Sequence, residues 1–328
     1  MKKFITNTFV FTIPFVILFF IYFIADPFHL FRYRTQFPIA PTVNRAYTGV
    51  MSFNKNNPDS NFNSFIIGSS RSFMFHTSDW KEHLTSKSKC FHFDQSGQNL
   101  FGMVKQLEWL DANVSDSISN LLLIMDIESL NDVSAKKGIV YENPPQIMNN
   151  DNFLAFHINN IKAFYKPKFI IPYFDLIINK TWKPYMSKGG FVKGVYTNSF
   201  TNDFYWLERD SLIDEGHYYV NHHFYNRKNH QKISDTIITT EQEVLLFKIK
   251  EIADRNKSNL KVVIGPLYNQ IKMNPIDKRK LDFIFGNKVV YDFSGINSFT
   301  DNILNFYETS HYRSSVCIAI MDSIYMDK

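Results

Sequence analysis

The chain has 328 residues, of which 45% are hydrophobic, so it is long enough for one large α/β domain or two small ones. Its formal net charge of +5 is spread along the sequence and forms no concentrated basic face, which argues against nucleic-acid binding. The sequence has neither the Gly-x-x-x-x-Gly-Lys signature of a phosphate-binding loop nor a Cys/His spacing typical of zinc, so we expect no cofactor and no metal site.

A long apolar run lies at the N-terminus, after Lys2 and Lys3. It extends over residues 9–25, or about 22 residues when counted from position 4, which is near the length that spans a bilayer. No small-x-small cleavage site follows, so residues 1–26 are predicted to be an uncleaved membrane anchor; a cleaved signal peptide or a buried helix is the alternative. The two lysines favour a cytoplasmic N-terminus. The rest of this single-pass protein is then expected on the extracytoplasmic side, periplasmic or at the cell surface.

The domain that follows is predicted to begin after a connector. Residues 27–62 contain four prolines and several Asn and Ser residues, which is typical of a polar linker. Residues 63–67 are then an apolar run that ends in the turn Gly68-Ser69-Ser70-Arg71. This pattern predicts a buried strand with serines at its carboxyl end, where open α/β sheets place their chemistry.

Further strands alternate with helical patterns. They are predicted over residues 89–93, 121–125, 260–264 and 288–293, and apolar positions at helical spacing separate them. This alternation predicts a parallel sheet covered by helices on both faces. The pattern breaks down over residues 136–239, a stretch rich in Asn, Lys, Tyr, Phe and Pro and too long for a loop. We interpret it as a mostly helical insertion or cap.

A carboxylate and a histidine precede the last predicted helix, in the pattern Glu308-x-x-His311. A carboxylate three residues before a histidine can orient the imidazole that deprotonates a serine. A second such pair, Asp214 and His217, lies in the irregular middle of the chain and precedes no apolar helix, so it is the weaker candidate.

Together, Gly68-Ser69-Ser70 and Glu308-x-x-His311 resemble the SGNH/GDSL hydrolase superfamily. Its members carry Gly-Asp-Ser after the first strand and Asp-x-x-His before the last helix, so Ser69 and Glu308 depart from the pattern. The Gly-Ser-Ser-Arg sequence and the N-terminal apolar segment are similar to the membrane-anchored branch, whose members add acyl groups to envelope polysaccharides and teichoic acids. The resemblance covers roughly residues 63–132 and 241–328.

The resemblance implies a three-layer α/β/α, flavodoxin-like fold with a parallel five-stranded sheet. An SGNH-like domain would occupy residues 63–328, interrupted by the insertion at 136–239, with the connector at 27–62 and the anchor at 1–26 before it.

The resemblance also implies roles for single residues. Ser70 would be the nucleophile, because the family nucleophile is the third residue of its first block, and Ser69 is the rival. His311 would be the general base, and Glu308 would hold its tautomer. Gly97, in a Ser-Gly pair after the second strand, would supply a backbone N–H to the oxyanion; the alternative is a plain turn glycine.

The family's third block supplies an asparagine side chain to the oxyanion. Ser129-Leu130-Asn131-Asp132 resembles this block without its glycine, so Asn131 is the candidate. Asp126 lies closer to the strand end. A carboxylate would repel an oxyanion, so we expect Asp126 to bind backbone amides instead.

These implications give an acyl-ester hydrolase or O-acyltransferase that acts on cell-envelope polysaccharide. The partners would be an acylated polysaccharide or other ester substrate and the membrane. A transferase would also need an activated acyl donor outside the membrane, which one anchor helix cannot deliver, so a multi-spanning partner is implied. The alternative is a non-catalytic envelope protein that binds glycan or serves as a scaffold on the same fold. Loss of the first-block aspartate favours that alternative.

Overall fold

The computed structural model describes residues 1–32, 36–220, 224–227 and 230–326. In this part of the chain the α-helices are Lys2–Ala25 (α1), Arg45–Ser60 (α2), Thr77–Lys81 (α3), Leu100–Asn113 (α4), Ile127–Asn131 (α5), Phe153–Phe164 (α6), Pro167–Asn179 (α7), Leu207–Asp214 (α8), Thr240–Arg255 (α9), Pro275–Phe285 (α10), Ser298–Asp301 (α11) and Ser314–Tyr325 (α12). Short 3₁₀ turns occupy Ser70–Ser72, Pro184–Gly189 and Ile303–Asn305.

The strands of the same part are Gln36–Pro41 (β1), Ser64–Gly68 (β2), Cys90–Asp94 (β3), Asn120–Met125 (β4), Phe191–Thr197 (β5), Phe204–Tyr205 (β6), Lys232–Ile233 (β7), Asn259–Ile264 (β8), Ile271–Lys272 (β9), Val290–Asp292 (β10), Phe306–Glu308 (β11) and His311–Tyr312 (β12). Five of them form a parallel sheet in the order β3-β2-β4-β8-β10. The predicted α/β class and the five-stranded parallel sheet are confirmed. Four predicted strands lie within one residue of β2, β3, β4 and β8, and the fifth is shorter than expected.

Apolar side chains fill both faces of the sheet. In β2, Phe65 and Ile67 pack with α2, α4, α9 and α10, whereas Ile66 packs with α3 and α12 on the other face. The same alternation recurs in β4, where every residue from 121 to 125 is buried. Helices on both faces explain why these strands are continuous in apolar residues rather than alternating with polar ones.

The prediction that residues 27–62 form a polar connector is wrong for the described residues 36–60. Here the chain forms β1 and then α2, which is capped because the Asn44 side chain accepts the N–H of Tyr47 at 2.9 Å. Ala46, Val50 and Phe53 lie at helical spacing and are buried against the sheet. Residues 33–35 of the predicted connector lie outside the described part of the chain.

Residues 136–239 contain α6, α7 and α8, but they are not mostly helical, because β5, β6 and β7 lie among them. The β-branched residues Val192, Val195 and Thr197 favour an extended strand. β5 pairs antiparallel with β1 on one side and with β6 on the other. The described part of this segment is therefore joined to the residues that precede the main sheet, rather than forming a separate cap.

The N-terminal helix α1 is the one helix of the described residues that is long and apolar enough to cross a membrane. This agrees with the predicted anchor as far as length and composition go. Its end is fixed to the domain. Tyr22 is buried in a third, largely aromatic core with Phe164 of α6 and Phe169 of α7. The Asp26 carboxylate accepts the backbone N–H groups of Leu30 and Arg32, both at 2.8 Å.

Candidate active site

The turn after β2 presents one of its serines to solvent and buries the other. Gly68 ends the strand, and a Cβ there would lie 2.7 Å from Ser72 Cβ and 3.0 Å from the carbonyl oxygen of Ile124, so only glycine fits. The carbonyl of buried Ser69 accepts both the N–H and the hydroxyl of Ser72 at 2.8 Å, and its Oγ accepts the N–H of Arg71 at 3.3 Å. Ser69 is thus engaged within the turn, whereas the half-buried Ser70 carries its hydroxyl outwards.

Ser70, His311 and Glu308 come together although the serine is 241 residues from the histidine. His311 Nε2 lies 2.9 Å from Ser70 Oγ. On the other side of the ring, Nδ1 donates to Glu308 Oε1. Glu308 and His311 face each other across the β11–β12 hairpin, which lies directly before α12. A nucleophile bonded to a base that a third group orients is the arrangement of a catalytic triad. His217, the weaker candidate, is exposed and does not line this site.

Two aromatic side chains hold the His311 ring. Trp206 meets it edge-on, with ring centroids 5.0 Å apart, and Phe73 stacks on it at 6.4 Å. Trp206 in turn packs on Tyr307 at 4.9 Å, and the Arg209 guanidinium lies 4.0 Å from its ring centroid. The segment predicted to be an insertion therefore supplies a wall of the site. The sequence carries no local signal for this contact, since Trp206 and His311 are distant along the chain.

Glu308 is held in its ionised form. Burial favours the neutral acid, but the hydrogen bond and charge of His311 outweigh it, helped by the N–H of Ser310 at 2.8 Å and the charge of Arg209. The pKa of Glu308 is therefore below its ordinary value. An ionised carboxylate at this position fixes the ring orientation and favours the imidazolium that forms during proton transfer.

Arg71 connects the serine turn to the end of β4. Its guanidinium lies 2.7 Å from Asp126 and 2.6 Å from Glu128, and Nε donates to the carbonyl of Ser310 at 3.3 Å. Burial alone would lower the pKa of Arg71, but the charges of the two carboxylates raise it above its ordinary value. This arginine fixes the serine turn to the histidine hairpin.

Gly97 lies in the loop after β3 and lines the same cavity as Ser70. Its φ of 60° is in the left-handed region, and a Cβ would lie 3.0 Å from the Tyr141 ring. In the described part of the chain, the backbone N–H groups of Ser70 and Gly97 have no hydrogen-bond acceptor. Neither N–H is thus committed to another group, and the oxyanion role of Gly97 stays a prediction.

The structure does not bring Asn131 to the site. It is the last residue of α5, it is exposed, and it does not line the cavity. The reason is the start of this helix. The Asp126 carboxylate caps it by accepting the N–H of Ser129 at 2.9 Å, so the chain winds away from the strand end before position 131. The expectation that Asp126 binds backbone amides agrees with this contact, and the third-block role for Asn131 is a wrong prediction.

Ser70 lines one of two adjoining cavities. The larger has a volume of about 470 Å³, opens at the carboxyl ends of β2, β3 and β4, and is lined mostly by polar residues. The smaller, of about 210 Å³, is largely apolar, with Ala40, Val43, Val192, Val195 and Phe204 in its lining. The two share Phe73, Ser96 and Trp206. The cavity at Ser70 can therefore receive a polar group, and the adjoining cavity can receive an apolar one.

A buried ion pair supports the loop that carries Gly97. Arg45 of α2 binds Asp94, the last residue of β3, with Nη2 2.6 Å from Oδ2, and it donates to the carbonyl of Asn202 at 2.7 Å. Both charged side chains are buried. Sequence reasoning missed Arg45 because it assigned residues 27–62 to a connector. Asn44, followed by apolar residues at 46, 50 and 53, was the available signal.

No metal site accompanies these residues: in the part of the chain that the structure describes, no three His, Cys, Asp or Glu side chains are grouped to hold an ion. No protein-family model matches the chain, and no curated protein matches it. The candidate site is therefore argued from its own geometry.

Proposed function

We propose that this protein is a membrane-anchored serine esterase or O-acyltransferase of the SGNH/GDSL type that acts on acyl esters of cell-envelope polysaccharide. The observation that carries the proposal is the distance of 2.9 Å between Ser70 Oγ and His311 Nε2, with Glu308 bound at Nδ1. Aromatic contacts fix the imidazole, and a cavity large enough for a sugar ring adjoins the serine.

The topology supports the same proposal. Numbered along the chain, the strands of the main sheet follow the order 2-1-3-4-5, which is the flavodoxin-like order. In such sheets, ligands bind outside the carboxyl ends of the strands where the strand order reverses. Ser70 follows the strand at this reversal, and Gly97 follows its neighbour. This placement is the one that an SGNH-type site requires.

The chemistry begins at Ser70. As its Oγ bonds to the ester carbonyl carbon, His311 Nε2 takes the hydroxyl proton and Glu308 stabilises the imidazolium. The tetrahedral intermediate then collapses, the C–O bond to the alcohol breaks, and His311 returns the proton to the leaving oxygen. The acyl group remains on Ser70 until water, or a sugar hydroxyl deprotonated by His311, attacks it and restores the free serine.

The negative oxygen of the intermediate needs preorganised donors. The backbone N–H groups of Ser70 and Gly97 supply them in this proposal, because neither has an acceptor among the described residues. Loss of one such donor typically reduces kcat by about 10²–10³-fold. Side-chain amides nearby are already committed: Asn99, for example, donates to the carbonyl of Ser134 at 2.7 Å and accepts from Gly102.

The two cavities suggest where the two parts of a substrate bind. The polar cavity suits a hydroxyl-rich sugar, and the apolar cavity beside Trp206 suits the acyl group. With α1 as an anchor and its lysines in the cytoplasm, the site would work outside the membrane. Transfer, as opposed to hydrolysis, would require a multi-spanning partner that supplies the acyl donor.

A glycan-binding or scaffold protein is the second candidate. The specific observations in its favour are the absence of Asn131 from the site and the serine in place of the first-block aspartate. Glycan binding alone, however, gives no reason for a serine bonded to a histidine that a half-buried carboxylate orients.

The test is covalent labelling. The full chain, in detergent, is treated with a fluorophosphonate probe and the modified peptide is mapped. We expect modification of Ser70, none in Ser70→Ala, and normal labelling in Ser310→Ala. Ser310 lines the same cavity but contributes only backbone atoms to the contacts around His311. Labelling that persists in Ser70→Ala, or a wild-type chain that is not labelled, would contradict the proposed chemistry.

A further inference from the structure

The hairpin formed by α6 and α7 has an apolar surface that the domain does not cover. On α7, Ile171, Phe174 and Ile178 recur on one side of the helix with exposed fractions of 59%, 41% and 74%. The other side of α7 packs inward through Phe169 and Pro172. A helix on the surface of a soluble domain needs only one apolar face, so the second face requires another explanation.

The hairpin is attached to the last turns of α1. Tyr22 and Phe164 lie 5.7 Å apart between ring centroids, and the Tyr173 hydroxyl donates to the carbonyl of Ala25 at 3.1 Å. The Tyr165 hydroxyl donates to the carbonyl of Leu18. These contacts extend over residues 18–25, a length of roughly 10 Å along the helix axis.

The length of α1 determines where these contacts lie relative to a bilayer. A helix of 24 residues is about 36 Å long, whereas the hydrocarbon core of a bilayer is about 30 Å thick. If α1 spans the membrane, its last turns lie at the boundary between acyl chains and headgroups. A hairpin bound to residues 18–25 lies at the same depth, with its exposed apolar face beside α1.

We propose that α6 and α7 form an interfacial membrane-docking element, with the bilayer itself as the occupant of their exposed apolar face. Amphipathic helices bind in this way, with the apolar side buried about 5–10 Å below the headgroups. α6 also exposes apolar side chains, with Leu154 at 69% and Ile158 at 37%. The domain is thus held to the membrane at a second place and cannot swing freely on α1.

The charge of this segment fits an anionic lipid surface. Residues 151–190 contain six lysines and two aspartates. Lys162, Lys166 and Lys168 are exposed around the turn between the two helices, whereas Asp175 is paired with Lys183 at 2.8 Å. Basic residues beside an apolar face are typical of helices that bind anionic headgroups.

Docking would also place the apolar cavity of the site close to the membrane. A small cavity of about 150 Å³ lies at the end of α1 and is lined by Ala25, Tyr173 and Ile177. His29 and Pro41 line both this small cavity and the apolar cavity of the site. The use of that proximity for acyl groups rests on the proposed function, but the docking itself does not.

The experiment uses the full chain in nanodiscs of phosphatidylcholine and phosphatidylglycerol. Ile178→Cys and, as control, Phe283→Cys are labelled with a polarity-sensitive fluorophore. Phe283 is 83% exposed on α10, which packs on the edge strand β10 and on α9, away from the contacts of α6 and α7 with α1. The native Cys90 and Cys317 are buried, so they escape the label. Lipids that carry a nitroxide on the acyl chain then quench labels that contact the hydrocarbon.

We expect the label at position 178 to shift to the blue and to lose most of its fluorescence, while the label at 283 does neither. A label at 178 that stays as water-exposed as the control would overturn the proposal, because something other than lipid would have to cover the face. Equal quenching at both positions would overturn it as well. Fluorophosphonate labelling of the same two variants reports on Ser70 independently, so failure of docking and failure of the proposed chemistry are distinguishable.

Discussion

Replacement of Arg45 by methionine tests whether α2 is an integral part of the domain. The arginine is 4% exposed and binds Asp94, which is fully buried, through two of its nitrogens. It also donates to the carbonyl of Asn202 at 2.7 Å and to Thr197 at 3.1 Å. Methionine retains much of the apolar volume but leaves Asp94 without its cation.

The expected loss of stability is large because the remaining charge is buried. Removing one partner of a buried ion pair costs about 3–5 kcal/mol. His92 Nε2 lies 3.7 Å from Asp94 and can compensate in part, which favours the lower end of this range. For a chain of this size, with roughly 2 °C per kcal/mol, Tm should fall by about 6–10 °C.

The assay is thermal unfolding of the full chain in detergent, followed by circular dichroism. The matched control is Arg255→Met, which removes an arginine that is 54% exposed and paired with Asp111. Surface pairs of this kind contribute less than about 1 kcal/mol. If the Tm of Arg45→Met lies within about 2 °C of the Tm of the control, the ion pair does not hold α2 against the sheet, and the prediction is wrong.

Three further predictions concern the site and its support. Glu308→Gln should slow fluorophosphonate labelling less than His311→Ala does, because the carboxylate only orients the base; equal losses would contradict this. Gly97→Ala should slow labelling, because a Cβ is strained at the left-handed φ and would lie 3.0 Å from the Tyr141 ring, which must shift; labelling at the wild-type rate would exclude Gly97 from the oxyanion site. Asp203→Asn should lower Tm at pH 7. Burial raises the pKa of Asp203, but the imidazole of His92, with Nδ1 3.6 Å away, and hydrogen bonds from Thr77 and Thr201 outweigh burial, so the net pKa is below its ordinary value. Its stabilisation is therefore present above the ordinary aspartate value of about 3.9, and the Tm difference from wild type should shrink as pH falls below that value; a difference independent of pH would contradict the assignment.

Local patterns were sufficient to find four of the five strands closely and to select the three residues of the candidate triad. Apolar runs such as 121–125 identify buried strands because helices cover both faces of the sheet, and the serine turn and the Glu308-x-x-His311 block are each contained in a few residues. That the two blocks meet was implied by their resemblance to the SGNH/GDSL superfamily. The structure has Ser70 and His311 at 2.9 Å.

Contacts between distant irregular segments could not be predicted. Trp206 packs on His311 across about one hundred residues, and neither local sequence specifies the other. The prediction for Asn131 was wrong for a different reason. The capping of α5 by Asp126 depends on hydrogen bonds that a short motif does not show. For α2 the signal was present in Asn44 and the spacing of its apolar residues, but nearby prolines obscured it.

The central claim is that Ser70 forms an acyl-enzyme during acyl-ester chemistry on envelope polysaccharide. The most direct test is the acyl content of that polysaccharide in cells that carry Ser70→Ala, at a protein level matched to wild type. The half-buried serine contributes little to stability, usually less than about 0.5 kcal/mol, so the variant should fold. Loss of a triad member typically reduces the rate by about 10⁴–10⁶-fold, so Ser70→Ala should change the acyl content as much as deletion of the gene does. Unchanged acylation in Ser70→Ala, together with a clear change on deletion, would contradict the claim and favour a scaffold.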